Sequence, residues 1–216
     1  MSRALCLCAT VSFVRAFVPS ARSWAPRTVV SMAATQDELK KQVGFQAIDD
    51  YVESGMVVGL GTGSTAAWMV RCLGERVRQE GIRIKGVPTS TRTAVLAAEV
   101  GIEVISLDEA KWLDVTIDGA DEFDSEFNLI KGGGGAHLQE KVVATASDRM
   151  VVITDASKEV ETLGAFPLPV EVIPFGWQTS KALLEELLIS MDVMGRETSL
   201  RMNGDVPFVT DEGNHI

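Results

Sequence analysis

The chain has 216 residues, of which 46% are hydrophobic and 23% are charged, a composition typical of a globular protein with one or two domains and a sizeable core. Its formal net charge is −10, which excludes nucleic acids and anionic membrane surfaces as partners attracted by overall charge. A phosphate ligand would therefore have to be held by a local site.

The first 34 residues differ from the rest of the chain in charge. They contain four arginines and no acidic residue, and residues 4–14 form an apolar run. That run is too short to cross a bilayer, which takes about 20 helical residues, but it suits the core of a signal peptide. Residues 17–35 are rich in Arg, Ser and Ala, as transit peptides are. We predict a targeting leader over 1–34 and no membrane segment in the mature form.

The junction VRAFVPS (14–20) places a phenylalanine after a predicted cleavage site. It resembles the plastid-targeting leaders of algae with complex plastids, so it predicts a plastid location, with the mitochondrion, secretion or the cytoplasm as alternatives. Two of the three cysteines, Cys6 and Cys8, lie in the leader. A mature chain that keeps only Cys72 excludes a disulfide framework and a cysteine metal site.

Helices and strands alternate after the leader. Thr35 and Glu38 form a predicted capping box that opens an amphipathic helix. A strand ending at residue 60 then runs into a glycine turn and a helix over 65–79. Further strands are predicted at 83–90, 103–107, 112–118 and 149–155, and further helices at 91–101 and 137–147. This alternation indicates βαβ units and a mostly parallel sheet, in which ligands lie beyond the carboxyl ends of the strands.

The pattern changes after residue 165. Residues 166–175 form a proline-bounded extended segment, which suits an edge strand or an interdomain link. An amphipathic helix is predicted over 181–191. Two strands around a turn at Asn203 and Gly204 follow, and then a second turn at 211–214.

The segment GLGTGST (59–65) fits neither common nucleotide motif, because Ser64 stands where a dinucleotide site needs glycine and no lysine precedes Thr65. A glycine turn leading into a helix N-terminus still favours an anion, with the hydroxyls of Thr62, Ser64 and Thr65 as further donors. A mononucleotide or a sugar phosphate would fit. Alternatively, Ser64 only caps the helix and the glycines form a tight turn.

The segment DGAD (118–121) ends a predicted strand with two carboxylates. A metal pair is disfavoured because the two histidines, His137 and His215, show no ligand spacing. Without a metal, Asp118 and Asp121 could accept hydrogen bonds from sugar hydroxyls. The alternative is a solvated acidic turn.

The segment KGGGG (131–135) stands between an apolar stretch and a helix. Glycines there let backbone N–H groups approach a ligand closely, and Lys131 would place a positive charge beside a developing oxyanion. By spacing alone, Glu140 in the following helix and Lys158 would be ordinary surface residues.

Six segments, in this order, resemble the signature segments of the A-type ribose-5-phosphate isomerases: TQDELKKQVG, VGLGTGSTAA, TIDGADE, IKGGGGAHLQEK, ITDASK and FPLPVEVIPF. The resemblance implies an α/β fold, with a Rossmann-like, mostly parallel sheet covered by helices on both faces in residues 35–165 and a smaller α+β domain in 166–216. It also implies interconversion of ribose 5-phosphate and ribulose 5-phosphate without a metal or cofactor, and a homo-oligomer such as a dimer.

The resemblance carries site roles over by position. Glu140 is implied as the base that moves a proton between C2 and C1, Lys131 and the glycine N–H groups as the groups that stabilise the enediolate, and Asp118 and Asp121 as acceptors for sugar hydroxyls. Asp118 is the first candidate for proton exchange between O1 and O2, and Asp121 the second. The full substrate-binding set is Thr62, Gly63, Ser64, Thr65, Asp118, Gly119, Ala120, Asp121, Lys131, Gly132, Gly133, Gly134, Lys158 and Lys40, the last of these near the phosphate.

Members of that family continue a few dozen residues beyond the point that matches Ile216, so the resemblance predicts a fragment or a shortened variant. The activity would serve the pentose phosphate pathway or the carbon-fixation cycle of plastids. The alternative function is a catalytically silent sugar-phosphate-binding protein, because the sugar-binding domains of some bacterial transcription regulators share this fold. Such a regulator should add a helix-turn-helix segment and a basic face.

Overall fold

The computed structural model describes residues 35–191, 193 and 195–216. The predicted leader over 1–34 lies outside these residues. The elements in chain order are α1 (Gln36–Tyr51), β1 (Val57–Leu60), α2 (Ser64–Glu80), β2 (Lys85–Pro88), α3 (Thr91–Glu99), β3 (Glu103–Val104), α4 (Leu107–Ala110), β4 (Val115–Asp118), β5 (Glu122–Phe123), β6 (Leu129–Ile130), α5 (His137–Thr145), β7 (Met150–Val152), a 3₁₀ turn (Ala156–Lys158), α6 (Trp177–Ser190), β8 (Met202–Asn203) and β9 (Val206–Pro207).

The central sheet has five parallel strands in the order β3-β2-β1-β4-β7. The predicted α/β fold with a mostly parallel sheet is therefore confirmed. The chain moves outward from β1 to β3, returns to the centre at β4 and ends at β7. The strand order thus reverses between β1 and β4, and the carboxyl ends at such a switch point form a crevice suited to a ligand.

The main core lies between this sheet and helices α1 and α2. Ile48, Met69 and Leu73 are completely buried and belong to one cluster with Val58 and Ile117 from the central strands. Each such side chain contributes roughly 1.5–3 kcal/mol when it is fully removed from water. The strands β1 and β4 are consequently held rigidly behind the crevice.

Two short elements differ from the sequence prediction. The strand predicted over 103–107 is limited to two residues, because the Ser106 side chain accepts a hydrogen bond from the Glu109 N–H and starts α4. The antiparallel pair β5–β6 was not predicted. Each of its strands has only two residues, too few to give an alternating pattern.

The C-terminal part follows the predicted order with less regular structure. Residues 166–175 form no strand beyond a single bridge between Val172 and His215. The predicted turn at Asn203 and Gly204 is confirmed and joins β8 to β9. Helix α6 has no buried residue. The boundary at residue 165 stays a prediction. No helix within the described residues is long and apolar enough to cross a membrane.

Candidate active site

Four segments meet at the crevice: the start of α2, the end of β4, the glycine loop (residues 131–135) and α5. They enclose a cleft of about 120 Å³. Most of the predicted substrate-binding residues line it, and the full lining is Thr62, Gly63, Ser64, Thr65, Ala66, Gly119, Ala120, Asp121, Lys131, Gly132, Gly134, Glu140 and Lys158. The structure thus brings together residues nearly 100 positions apart in the sequence.

The start of α2 offers free backbone donors to the cleft. Gly63 is the N-cap residue with a φ of 118°, and no side chain caps the helix. Ser64 is the first helical residue and not the cap, so the alternative explanation of Ser64 as a capping residue is wrong. The Gly63 backbone lies in a region that L side chains rarely adopt. The exposed N–H groups and the positive end of the helix dipole suit a phosphate.

The hydroxyl of Thr62, which the sequence predicted as a donor to an anion, is engaged by neighbouring protein hydroxyls, although Thr62 lines the cleft. It lies 2.8 Å from the hydroxyl oxygens of both Thr89 and Ser90, in a buried network at the ends of β1 and β2. Buried hydroxyls require such partners because leaving them unpaired costs free energy. The hydroxyl donors near a ligand are therefore reduced to Ser64 and Thr65.

Asp118 is completely buried at the end of β4. Its Oδ1 accepts hydrogen bonds from the N–H groups of Thr62 at 3.0 Å and Gly119 at 2.7 Å, and its Oδ2 accepts one from Lys131 Nζ at 3.0 Å. Burial raises the pKa of Asp118, while Lys131 opposes the shift. Asp118 is not among the residues that line the cleft, so its direct contact with sugar hydroxyls stays a prediction.

Asp121 lies at the surface of the cleft instead. Its Oδ2 accepts a hydrogen bond from the N–H of Gly133 at 2.7 Å, and a Cβ atom on Gly133 would collide with this carboxylate. Asp121 therefore fixes the glycine loop against the end of β4 and keeps one oxygen free of that contact. Gly133 itself does not line the cleft.

Lys131 joins the two buried carboxylates. Its Nζ lies 3.0 Å from Asp118 Oδ2 and 3.1 Å from Glu140 Oε2, and it donates to the Gly119 carbonyl at 2.5 Å. Burial lowers the pKa of Lys131, but the charges of Asp118 and Glu140 outweigh that effect and raise it. The side chain is therefore a fixed cation facing the cleft.

Glu140 is only 4% exposed, so its position on α5 is not that of the surface residue which spacing alone suggests. Burial raises the pKa of Glu140 to about 7, the Asp118 charge adds to the shift, and Lys131 opposes it. A carboxyl group with a pKa near neutrality can both take and return a proton at physiological pH. Glu140 thus has the position and the acidity of a general base.

The two remaining lysines differ in position. Lys158, in the 3₁₀ turn after β7, lines the cleft. Lys40, on α1, is not among the lining residues. Within the described part of the chain, no group of three or more His, Cys, Asp or Glu side chains is placed to hold a metal ion.

Sequence reasoning missed residues that support the site from a distance. Buried Glu122 accepts hydrogen bonds from the N–H groups of Gly164 and Phe166. Arg201 donates to the carbonyl of Gly133 at 3.0 Å, and Phe208 packs beside Gly135. Arg201 is 68 residues from Gly133 in the sequence, so no local spacing could have revealed the contact.

Comparison with known proteins decides the family. The family model for ribose 5-phosphate isomerase A (phosphoriboisomerase A) matches residues 85–216. Ribose-5-phosphate isomerase A of Ruegeria pomeroyi is 76% identical over 176 residues, which cover 82% of this chain and 67% of that protein. The chain belongs to the ribose 5-phosphate isomerase A family. The expected class of activity, aldose–ketose isomerisation of ribose 5-phosphate and ribulose 5-phosphate, is confirmed with it.

Other members of the family agree in sequence and fold. The isomerase of Roseobacter denitrificans is 78% identical over 165 residues, which cover 76% of this chain and 63% of that protein. The chain thus spans about two thirds of the length of these curated relatives. A solved ribose-5-phosphate isomerase in complex with phospho-erythronic acid has a TM-score of 0.76 and 40% identity, covering 84% of this chain and 78% of its own. The isomerase of Plasmodium falciparum gives 0.75 and 36%, covering 83% and 77%.

The predicted plastid location is wrong by this comparison. The similar curated isomerases come from bacteria such as Ruegeria and Roseobacter, and a cytoplasmic location is consistent with them. A role in a carbon-fixation cycle is not shown by these relatives.

Proposed function

We propose that this cleft binds the open-chain form of a pentose 5-phosphate and interconverts its aldose and ketose through an enediolate, with Glu140 as the base. The observation that carries the proposal is the pKa of Glu140, raised to about 7 in a buried position beside Lys131. A base of this kind suits a reaction in which the same proton is removed and then returned.

The phosphate is assigned to the start of α2. Ser64 and Thr65 face the cleft there, and Lys158 lies on the same cleft. These groups provide backbone donors, two hydroxyls and one cation, which an anionic protein needs in order to hold an anion locally. The phosphate would then lie at one end of the cleft and the reacting carbons near Glu140.

The reaction begins with removal of the proton on C2 by Glu140. The electrons of the broken C–H bond form the C1–C2 double bond, and the carbonyl electrons move to O1 as an oxyanion. Lys131 and the glycine-loop N–H groups stabilise that oxyanion. The O2 proton is transferred to O1, and Glu140 returns its proton to C1, which leaves the ketone at C2. Every atom of the aldose is retained in the ketose.

Asp121 is better placed than Asp118 for the proton exchange between O1 and O2. Asp118 has both oxygens engaged by the protein and lies behind Lys131, whereas Asp121 lines the cleft. We assign Asp118 the task of holding Lys131 and raising the pKa of Glu140. The assignment reverses the order of preference drawn from the resemblance.

The ligand of one solved relative supports the proposal. Phospho-erythronic acid is bound in that isomerase, and it combines a phosphate with a planar carboxylate whose two oxygens resemble O1 and O2 of an enediolate. A homo-oligomeric state stays a prediction from the resemblance.

Glu140→Gln tests the proposal. Glutamine keeps the size of the side chain but cannot take the C2 proton, so isomerisation should fall by about 10²–10⁴-fold while ribose 5-phosphate still binds. Exchange of the C2 hydrogen with deuterated solvent, followed by NMR, should disappear in parallel. Asp121→Asn should keep measurable exchange. Exchange at the wild-type rate in Glu140→Gln would remove Glu140 from the mechanism.

A further inference from the structure

The glycine loop is held from outside the cleft by a residue of the C-terminal segment. Arg201 Nη2 donates a hydrogen bond to the carbonyl oxygen of Gly133 at 3.0 Å. This bond fixes the plane of one peptide unit, the one that joins Gly133 to Gly134. Gly134 lines the cleft, whereas the carbonyl of Gly133 faces the C-terminal segment.

The two ends of that peptide unit point in opposite directions. The described residues contain no cis peptide bond, and in a trans peptide the C=O and the following N–H are antiparallel. When Arg201 binds the carbonyl of Gly133, the N–H of Gly134 must point away from Arg201. Among the described residues this N–H has no hydrogen-bond partner, whereas Gly133 N–H donates to Asp121 and Gly135 N–H to Gly132.

The guanidinium group is itself held in place. Its central carbon lies 4.3 Å from the centre of the Phe208 ring, and that ring lies so close to Gly135 that a Cβ there would come within 2.6 Å of it. The backbone of Arg201 donates to the Ile216 carbonyl and accepts from the Phe208 N–H. A stacked cation is restricted in orientation, and a charged donor polarises the peptide it binds.

We propose that Arg201 is a positioning residue for the isomerisation: it orients and polarises the Gly133–Gly134 peptide so that the Gly134 N–H donates to the enediolate oxyanion. The proposal rests on the function assigned to the cleft above. Arg201 does not touch the substrate in this scheme and acts only through the loop. The loop supplies four flexible glycines, and Arg201 removes the freedom that would otherwise let the donor turn away.

The test compares Arg201→Met and Arg201→Lys with two matched controls in the full chain. Thr210→Val removes two hydrogen bonds of the same C-terminal segment but no contact of Arg201, and Arg83→Met removes an exposed arginine that precedes β2, away from the carboxyl ends of the strands. Arg201→Met should lower kcat by about 10–100-fold with little change in KM, somewhat less than deletion of an oxyanion donor, which costs about 10²–10³-fold. Arg201→Lys should keep the folded structure and lower kcat several-fold.

Two further readouts separate positioning from mere structural support. Added guanidinium ion should restore part of the kcat of Arg201→Ala and have no effect on Thr210→Val. Phospho-erythronic acid should bind more weakly to the Arg201 variants, while inorganic phosphate binds unchanged. The ¹³C resonance of the Gly133 carbonyl should shift in the ligand-free Arg201→Lys protein. This measurement does not depend on enzyme activity.

Equal losses of kcat in folded Arg201→Met and Thr210→Val, or no ¹³C shift in Arg201→Lys, would overturn the positioning role. Failure of the proposed function looks different, because Glu140→Gln would then keep wild-type exchange whatever stands at position 201. The two ideas are thus tested by separate measurements.

Discussion

Glu140 owes its chemistry to its surroundings. A glutamate in the first turn of a helix is normally ionised and solvated, yet Glu140 is 4% exposed and its pKa is raised to about 7. Desolvation destabilises the charged form, and the nearby Asp118 charge adds to that effect. Lys131 prevents the shift from going further, so the three groups act as one coupled proton-binding unit.

The coupling predicts the pH dependence of the enzyme. Only the carboxylate form of Glu140 can accept the C2 proton, so kcat/KM should fall as pH drops through about 7. Asp118→Asn removes a negative charge that raises this pKa, so the acidic limb of the kcat/KM profile should move to lower pH. Lys131→Met removes the opposing positive charge, so the same limb should move to higher pH. Profiles between about pH 5 and 9 check this, with exposed Asp50→Asn on α1 as a control. A limb unmoved by both substitutions contradicts the assigned coupling.

At the scale of elements, the glycines of GLGTG are required for different structural reasons. Gly63 has the positive φ that a glycine turn implies. Gly59 and Gly61, however, face the neighbouring strand β4, and a Cβ on Gly61 would overlap the carboxylate of Asp118. The missing side chain lets Asp118 sit beneath the Thr62 N–H. The segment was predicted correctly as a strand and turn, but this close approach depends on β4 and is invisible in a local motif.

Gly61→Ala should therefore cost more than its small volume suggests. The added methyl must displace the Asp118 carboxylate, so we expect roughly 1–3 kcal/mol of lost stability and a larger loss of activity as Lys131 is released. Gly119→Ala is the matched control for stability alone, because its Cβ would meet only the Ile153 carbonyl, at 3.7 Å, although Gly119 lines the cleft. Urea unfolding and kcat measure the two effects. Equal stabilities for the two variants would show that the end of β4 can move to accept the added methyl at little cost in stability.

Prediction from sequence succeeded where one element determines the result. The parallel sheet and most of its helices follow from local periodicity, and the strand-end positions of Asp118 and Asp121 follow from the sheet. Contacts between distant segments were not predictable in this way. The inward hydroxyl of Thr62 depends on Thr89 and Ser90, and the anchoring of the glycine loop depends on Arg201.

At the scale of the whole molecule, buried apolar side chains are concentrated in the first two thirds of the chain. Both hydrophobic clusters draw on residues between 43 and 153. Helix α6, by contrast, exposes Leu183 by 62%, Leu187 by 53% and Ile189 by 62%. Leu183 and Leu187 are four residues apart and so share one face. Contiguous apolar surface of this kind favours association.

We expect this α6 face to bind a hydrophobic dye and to promote concentration-dependent association of the chain. The double substitution Leu183→Gln and Leu187→Gln should reduce both, because it replaces apolar surface with polar side chains that water solvates. Thermal unfolding should change little, since α6 contributes no buried residue.

Leu39→Gln, which alters an exposed leucine on α1, serves as the control and should leave dye fluorescence nearly unchanged. Dye binding and light scattering provide the measurements. If the double variant bound as much dye as the wild type, the accessible apolar surface would have to lie elsewhere, and a large drop in its melting temperature would indicate that α6 is packed in solution.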